Sequence, residues 1–284
     1  MLRMALPKGR IFEKVSTLLN DCGLALKMPD RGYRPDCNDE RLTIKVLKAQ
    51  NVAALVGLGS HDIGFTGLDW VAESGAEVVE LLDLGFDPVR IVAAAPEGLE
   101  AAAILARPRL VVVSEYENLT RRWLAAKGVG QFHYMRSYGA TEVFPPEDAD
   151  LIVDNTASGR TLVENHLQIL DTLLHSTTRI IANPRALERP ESRLIIEELL
   201  LLIRSVLDAR DRVILEMNID EERLALLVQQ LPAMKSPTIA RLYGQTGYAV
   251  KVAVKKTLVS RLIPELRRLG ATDILETDLR KVIP

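Results

Sequence analysis

The chain has 284 residues, of which 48% are hydrophobic, 26% charged and 5% aromatic. At roughly 150 residues per domain this length gives about two domains, or three if some are small. The composition excludes a disordered or low-complexity chain and predicts a mainly aliphatic core. Lys and Arg number 36 against 38 Asp and Glu, a formal net charge of −2, so no overall basic field would draw in nucleic acid and an anionic substrate has to be met by local groups. Cys22 and Cys37 are too few for a disulfide framework and have no zinc-ligand spacing around them. Arg3 and Pro7 break the first apolar run below the length of a signal peptide. Glu197 and Glu198 break the apolar stretch 194–203, well short of the roughly 18 uninterrupted residues of a membrane span. The expectation is a cytoplasmic protein with no membrane partner.

Taken in order, residues 3–6 read as a strand and 7–10 as a loop, and Ile11, Val15, Leu18 and Leu19 then recur at helical spacing up to Gly23. A strand over 42–47, a short helix over 49–58, a strand over 62–67 ending in a glycine turn, and a helix over 68–74 follow. This alternation predicts an α/β lobe with a largely parallel sheet. The rhythm restarts with strands at 90–95 and 109–114, a helix at 118–127 and a strand at 131–136, giving a second α/β lobe. Its apolar strand 149–153 runs into a loop from Asp154 to Leu162 and then a helical pattern to Leu174. The chain would cross back near Ser176, through a short strand at 179–182 and an apolar helix at 190–207.

From residue 211 the order becomes strand 213–219, helix 221–231, strands 238–243 and 248–256, helix 258–269 and strand 273–278, the βαββαβ order of a ferredoxin-like module. Pro264 predicts a kink or break in its second helix. Residues 209–284 hold thirteen Lys or Arg against nine Asp or Glu, a local +4 against −6 elsewhere, which sets this module apart.

The string Asp154-Asn155-Thr156-Ala157-Ser158-Gly159-Arg160-Thr161-Leu162 joins a buried strand to a helix start, where free backbone N–H groups and the helix dipole favour an anion. Ser158 and Thr161 add hydroxyls, Gly159 permits close approach and Arg160 supplies a permanent charge. That set suits a phosphate monoester, and Asp154 would accept hydrogen bonds from sugar hydroxyls, making a ribose-phosphate cradle. The same string also reads as an ordinary strand-to-helix turn capped by Ser or Thr. It is not a Walker loop.

Lys8 and Arg10 lie at the C-terminal edge of the first strand, where open α/β folds bind ligands, and could neutralise a polyphosphate. On their own they read rather as a solvated basic turn. Residues 64–69 form a third turn, with Thr66 and the Gly67 amide as donors and Asp69 placed to cap a helix. His61, His133, His166 and His175 lack metal-ligand spacing. No G-x-S-x-G elbow, Cys-His signature or GxGxxG fingerprint occurs, so nothing points to covalent catalysis.

Six stretches in order, Ala5-Leu6-Pro7-Lys8-Gly9-Arg10, residues 62–69, residues 81–86, Asn118-Leu119-Thr120-Arg121-Arg122, residues 154–162 and Ser236-Pro237-Thr238-Ile239-Ala240, resemble the ATP phosphoribosyltransferase family in its long form. The resemblance covers essentially the whole chain. It implies attack of N1 of the ATP adenine on the anomeric carbon of phosphoribosyl pyrophosphate (PRPP), with release of pyrophosphate, as the first step of histidine biosynthesis, and with Mg²⁺ held mainly by the substrate phosphates rather than by assigned protein ligands. It implies two periplasmic-binding-protein-like lobes forming a cleft, 1–93 with 178–208 and 94–177, and a regulatory module, 209–284, through which histidine inhibits.

By the same resemblance Asp154, Thr156, Ala157, Ser158, Gly159, Arg160 and Thr161 bind PRPP. Arg10, Lys48, Thr66, Gly67, Asp69 and Tyr116 bind ATP, Tyr116 by stacking on the base, and Lys8, Arg10 and Asp69 serve the reaction. Asn218, Ser236 and Thr238 bind histidine, in a homo-oligomer, a dimer or hexamer. Lys48 stands where the family usually has Arg, a point charge for a bidentate grip, and Glu117 stands where it usually has Pro. Two other readings remain open: a phosphoribosyltransferase with another acceptor base, because the sugar-donor loop never touches the base, and a non-catalytic two-lobed ligand-binding protein.

Overall fold

The computed structural model describes residues 1–29, 32–232 and 236–283. They fall into two compact units, Met1–Thr17 with Leu24–Ile196 and Leu18–Gly23 with Glu197–Pro284.

In the first unit β1 (Leu2–Pro7) buries Leu2, Met4, Ala5 and Leu6 completely, the near-continuous apolar run of a strand covered on both faces. Then come α1 (Arg10–Cys22), a two-residue ribbon of β2 (Leu26–Lys27) and β3 (Asp36–Cys37), β4 (Leu42–Leu47), α2 (Ala49–Gly57), β5 (Ile63–Gly67), α3 (Leu68–Ser74) and β6 (Val79–Asp83). β1 lies between β4 and β5, parallel to both. α2 presses so closely on β5 that a Cβ on Gly64 would come within 2.6 Å of Val52 and 2.9 Å of Val56, so this strand position has room for glycine alone.

The chain crosses to a second sheet through β7 (Val89–Pro96), followed by α4 (Ala101–Leu105), β8 (Val111–Ser114), α5 (Glu117–Ala126), β9 (His133–Arg136), a 3-10 turn (Thr141–Val143), β10 (Leu151–Thr156), α6 (Arg160–Glu164) and β11 (Leu167–Ser176). It returns through β12 (Thr178–Ala182), then α7 (Pro184–Glu188) and α8 (Pro190–Arg210). The sheet orders are β4-β1-β5-β12-β6 and β11-β7-β10-β8-β9. β12 and β7 each run antiparallel to the strands beside them, so the largely parallel sheets expected from the sequence are mixed: each lobe receives one strand arriving from the other. β7 pairs within the second sheet from Val89 onward, whereas the sequence division left residues up to 93 in the first. Two α/β lobes crossed twice by the chain have the periplasmic-binding-protein-like architecture.

The helical pattern expected up to Leu174 is wrong. α6 stops at Glu164, and β11 pairs antiparallel with β7 along its length. Two register shifts, between Ile169 and Asp171 and between Thr172 and Leu174, leave Leu170 and Leu173 as extra residues. These bulges break the period-two alternation of a strand, and apolar residues at 167, 170, 173 and 174 then imitate helical spacing.

In the second unit β13 (Arg212–Ile219), α9 (Glu221–Gln230), β14 (Thr238–Arg241), β15 (Tyr248–Lys255), α10 (Lys256–Arg268) and β16 (Thr272–Asp278) form an antiparallel sheet of order β14-β15-β13-β16. This is the ferredoxin-like arrangement. Val213, Leu215, Met217 and Ile219 on one face of β13 meet Leu227, Leu262 and Leu266 of the helices. α10 continues through Pro264 without the expected break. The proline and Ser260, the residue four before it, are both exposed, so the bond the proline cannot donate lies on the solvent side of the helix, while Val259, Leu262 and Leu266 hold the other face.

Back in the first unit, Asp62 is 3% exposed and accepts bonds from the Arg3 N–H (2.7 Å), Arg3 Nη2 (2.9 Å) and Arg189 Nη2 (2.6 Å). Burial alone would raise its pKa, but Arg3 and Arg189 outweigh burial and hold the carboxyl below the usual range. A depressed folded-state pKa stabilises fully above the unfolded value of about 4 and loses that contribution as pH falls through the folded value. Asp62→Asn is therefore expected to cost about 1.5–3 kcal/mol at pH 7, with the difference shrinking below about pH 4. Urea midpoints at the two pH values check this, and an equal loss at both would count against the ionic network.

Candidate functional site

The two lobes meet where α3 of the first faces α5 and β11 of the second. Asp69 is buried: Ser176 Oγ donates to its Oδ1 (2.6 Å) and accepts from its N–H (3.0 Å), and the Tyr116 hydroxyl donates to its Oδ2 (2.9 Å). Asn155 Nδ2 donates in turn to the Tyr116 oxygen (3.2 Å). A Cβ on Gly67 would lie 2.0 Å from Asp69 Oδ1, so glycine is what lets this carboxylate fold back beside its own backbone. One turn on, Glu73 accepts from the N–H groups of Asn118 (3.0 Å) and Leu119 (2.9 Å), amides in the first turn of α5 that have no partner within their own helix. The Trp70 and Tyr116 rings stack with centroids 4.6 Å apart. Burial and then the charge of Asp69 push the Tyr116 phenol well above its usual range, which keeps it a neutral donor.

Two adjoining cavities open beside this junction. One, of about 210 Å³, is lined by Gln50, Gly67, Asp69, Trp70, Asp87 and Ser176 among others. The other, of about 370 Å³, is lined by Glu142, Asp154, Thr156, Ala157, Ser158 and Thr161 among others. Arg10, Val89, Glu115 and Asn155 line both, so the turn after β1 and the string from Asp154 share one cleft.

Within that string Asp154 and Thr156 end β10 rather than standing in a loop. Asp154 accepts the Thr141 hydroxyl and the Asn155 N–H (2.6 Å). Burial raises its pKa, with Thr141 and the Asn155 amide opposing and Glu142 adding to the rise. The Gly159 N–H donates to Thr156 Oγ1 (2.9 Å) and the Arg160 N–H to Ser158 Oγ (3.3 Å). Those two amides, expected to face an anion, are spent inside the turn, and the hydroxyls remain as its polar lining. Arg160 pairs with Glu164 at 2.7 Å, is 83% exposed and lies outside both lining sets.

Arg10 Nε (2.7 Å) and Lys14 Nζ (2.9 Å) both reach Asp87 Oδ1. Asp87 sits between β6 and β7 at φ +48°, and its Oδ2 is buried without a hydrogen-bond partner among the described residues. Lys8 Nζ lies 3.7 Å from the centroid of the Tyr33 ring. Lys48, before α2, is exposed and lines neither cavity. Thr66 is fully buried and its hydroxyl donates to the Ala49 carbonyl (3.0 Å), so its expected role as a ligand donor is taken by the backbone. The Tyr116 ring, 1% exposed and covered by Trp70, is not open for stacking on a base, and Asp69, with both oxygens engaged, fastens the lobes. Gln50, Asp87, Glu115, Glu142 and Ser176 were given no role by the sequence, and Asn155 stood in the string from Asp154 without one of its own. Glu115 alone carried a signal, directly after the β8 strand at the edge where α/β folds place ligands.

Among the described residues no cluster of three His, Cys, Asp or Glu side chains is arranged to hold an ion. Glu142 and Asp154 nonetheless give the larger cavity carboxylate oxygens, hard donors that fit a divalent cation shared with phosphate groups. In the second unit, Asn218 and Ala249 are paired neighbours, as are Ala249 and Ala240. This puts Asn218 and Thr238 on the sheet face opposite the helices; Asn218 Nδ2 donates to Asp273 (2.9 Å), and Ser236 and Thr238 are exposed.

Tyr116→Phe removes the donor to a buried Asp69 oxygen and is expected to cost about 1–3 kcal/mol. Chemical denaturation measures it, and an unchanged midpoint would show that the bond does not fasten the lobes.

The ATP phosphoribosyltransferase family model matches residues 48–205, and that of the HisG C-terminal domain matches 209–281. An ATP phosphoribosyltransferase of Chlorobium luteolum is 37% identical over 288 aligned positions, covering 100% of this chain and 98% of its own. That of Desulforudis audaxviator is 38% identical, covering 100% and 99%. Among solved structures, a chain of the ATP phosphoribosyl transferase (HisG:HisZ) complex from Thermotoga maritima matches with a TM-score of 0.64 and 28% identity, over 72% of this chain and 99% of that one.

Proposed function

The chain belongs to the ATP phosphoribosyltransferase family, and we propose that the cleft lined by Arg10, Glu115 and the string from Asp154 to Thr161 is where it performs that family's reaction. The enzyme is a pentosyltransferase: it joins N1 of ATP to the anomeric carbon of PRPP and releases pyrophosphate, the first step of histidine biosynthesis. The observation that carries the site is the shared cavity lining, in which the hydroxyls of β10 and its turn and the Asp154 carboxylate share one cleft with Arg10.

Such a transfer passes through an oxocarbenium-like state, so it needs positioning and charge stabilisation rather than a protein nucleophile. Ser158, Thr161 and the Ala157 segment hold the ribose 5-phosphate, and Asp154 accepts from the ribose hydroxyls. Thr156 and Gly159 shape the turn through their mutual bond. Arg10 and Lys8 meet substrate phosphates, and Lys48, whose charge acts on Glu115, is a further cation for the triphosphate. The family requires a divalent metal; we take it to be Mg²⁺, with Glu142 and Asp154 among the carboxylates that could hold it, and it would neutralise charge on the departing pyrophosphate.

We assign residues 1–88 with 177–208 and 89–176 to the two catalytic lobes, and 209–284 to a regulatory module. Asn218, Ser236 and Thr238 on or beside the open sheet face bind histidine there, and the chain works as a cytoplasmic homo-oligomer, a dimer or hexamer. No helix among the described residues is long and apolar enough to cross a membrane.

Thr161→Val is expected to raise the KM for PRPP about 10-fold, one lost hydrogen bond to a charged group, and to leave the KM for ATP within about twofold. Arg160→Ala, which removes a side chain already paired with Glu164, should change either value less than about threefold. Initial rates of pyrophosphate release dependent on both substrates check the pair, and the reverse ranking would return Arg160 to the phosphate site. Histidine titrated into the same assay should lower the rate, and Asn218→Ala should raise the histidine needed for half-inhibition by about 10-fold. A flat response up to millimolar histidine would remove the regulatory assignment.

A further inference from the structure

One carboxylate stands where the cavities meet and has no part in the mechanism so far. Glu115 lines the cavity of Asp154 and Thr161, the cavity of Asp69 and Trp70, and a third that includes Asn51 and Arg136; it is the one residue common to all three. It is half-buried, and one oxygen accepts from Gln50 Nε2 at 3.0 Å. Its other oxygen has no hydrogen-bond partner among the described residues.

If the sugar lies against Asp154 and Thr161, as proposed above, its anomeric carbon faces the mouth shared by the first two cavities. The edge of the base that carries N1 must come to that mouth. Four residues line it, Arg10, Val89, Glu115 and Asn155, and Glu115 is the only acid. In adenine the exocyclic amine is bonded to the ring carbon next to N1, so a group that faces N1 also reaches the amine. As N1 is alkylated, positive charge spreads over N1, C6 and the amine, and the amine protons become acidic.

We propose that Glu115 accepts a hydrogen bond from the exocyclic amine of the acceptor adenine and takes one of its protons as the new bond forms, an inference that rests on the assignment of the cleft above. The N1 lone pair forms the bond to the anomeric carbon, and the carbon–oxygen bond breaks with its electron pair going to pyrophosphate. The amine proton passes to the Glu115 carboxylate and then to water, leaving a neutral imino base. Burial, and then the charge of Asp154, raise the Glu115 pKa against the opposing Gln50 bond, Lys48 and Arg136, which makes it a better proton acceptor than an ordinary surface carboxylate.

The test compares ATP with purine riboside 5′-triphosphate, which keeps N1 and lacks the amine, in wild-type protein and Glu115→Gln, at saturating PRPP and Mg²⁺. Glutamine retains an acceptor for Gln50 but cannot take the proton. The variant is expected to lose about 100-fold in kcat/KM with ATP, to lose less than about threefold with the analogue, and to keep its KM for PRPP. Where the analogue is bound without turnover, its inhibition constant against ATP reads the same coupling: wild type should favour ATP by at least about 10-fold and the variant should not. Equal losses on both acceptors, or a variant within about twofold of wild type on ATP, would overturn the proposal and leave Glu115 as a tie to Gln50. Absence of wild-type turnover with ATP and PRPP would instead remove the assignment of the cleft on which it stands.

Discussion

Two carboxylates one turn apart on α3, Asp69 and Glu73, fix the relation between the catalytic lobes. Both are buried, and a buried carboxylate without donors costs several kcal/mol. Their donors come from beyond the first sheet: Ser176 at the end of β11, the Tyr116 hydroxyl, and the first amides of α5. The first lobe therefore satisfies its own interior only when the second is docked on it. Arg10, Glu115 and Asn155 line the same cavity as Asp69.

Much of this was legible along the chain, and the parts that were not have physical reasons. The strand, turn and helix at residues 2–22 and the βαββαβ order after residue 211 follow from periodicity and glycine punctuation that no distant contact overrides. β11 was misread because its two bulges, at Leu170 and Leu173, convert alternation into helical spacing, and a bulge is specified by the partner strand rather than by its own residues. Pro264 argued for a break that solvent exposure makes unnecessary.

In the cleft, the string from Asp154 announced itself through its residue types, but which of its atoms remain available depends on bonds closed by neighbours. Arg160 turns to Glu164, and two amides turn to Thr156 and Ser158. Tyr116 has the residue type of a stacking platform and the surroundings of a core side chain. Glu115, Glu142 and Asp87 carried too little local pattern to be chosen, because their importance comes from what the fold sets opposite them.

The near-zero net charge takes on meaning in the same way. Two cations near the cleft are already partnered, Arg10 by Asp87 and Lys8 by the face of Tyr33. A substrate phosphate thus competes with Asp87 for Arg10 instead of falling into an open field, and a poor anion gains little from the exchange.

The paths between the lobes have one more consequence. Residues 84–88 lead outward and Thr177 leads back, and the two paths bond to each other, Leu84 N–H to the Thr178 carbonyl at 3.0 Å and Thr178 N–H to the Phe86 carbonyl at 2.9 Å. The strands on either side continue the same pairing, β6 with β12 and β7 with β11. A ladder of this kind flexes out of its plane while its rungs stay intact, whereas sliding one rail past the other breaks them. The lobes are hung on a two-ply strap that resists sliding as the bonds of Asp69 and Glu73 resist separation, so the sugar side and the base side of the cleft are held in one alignment.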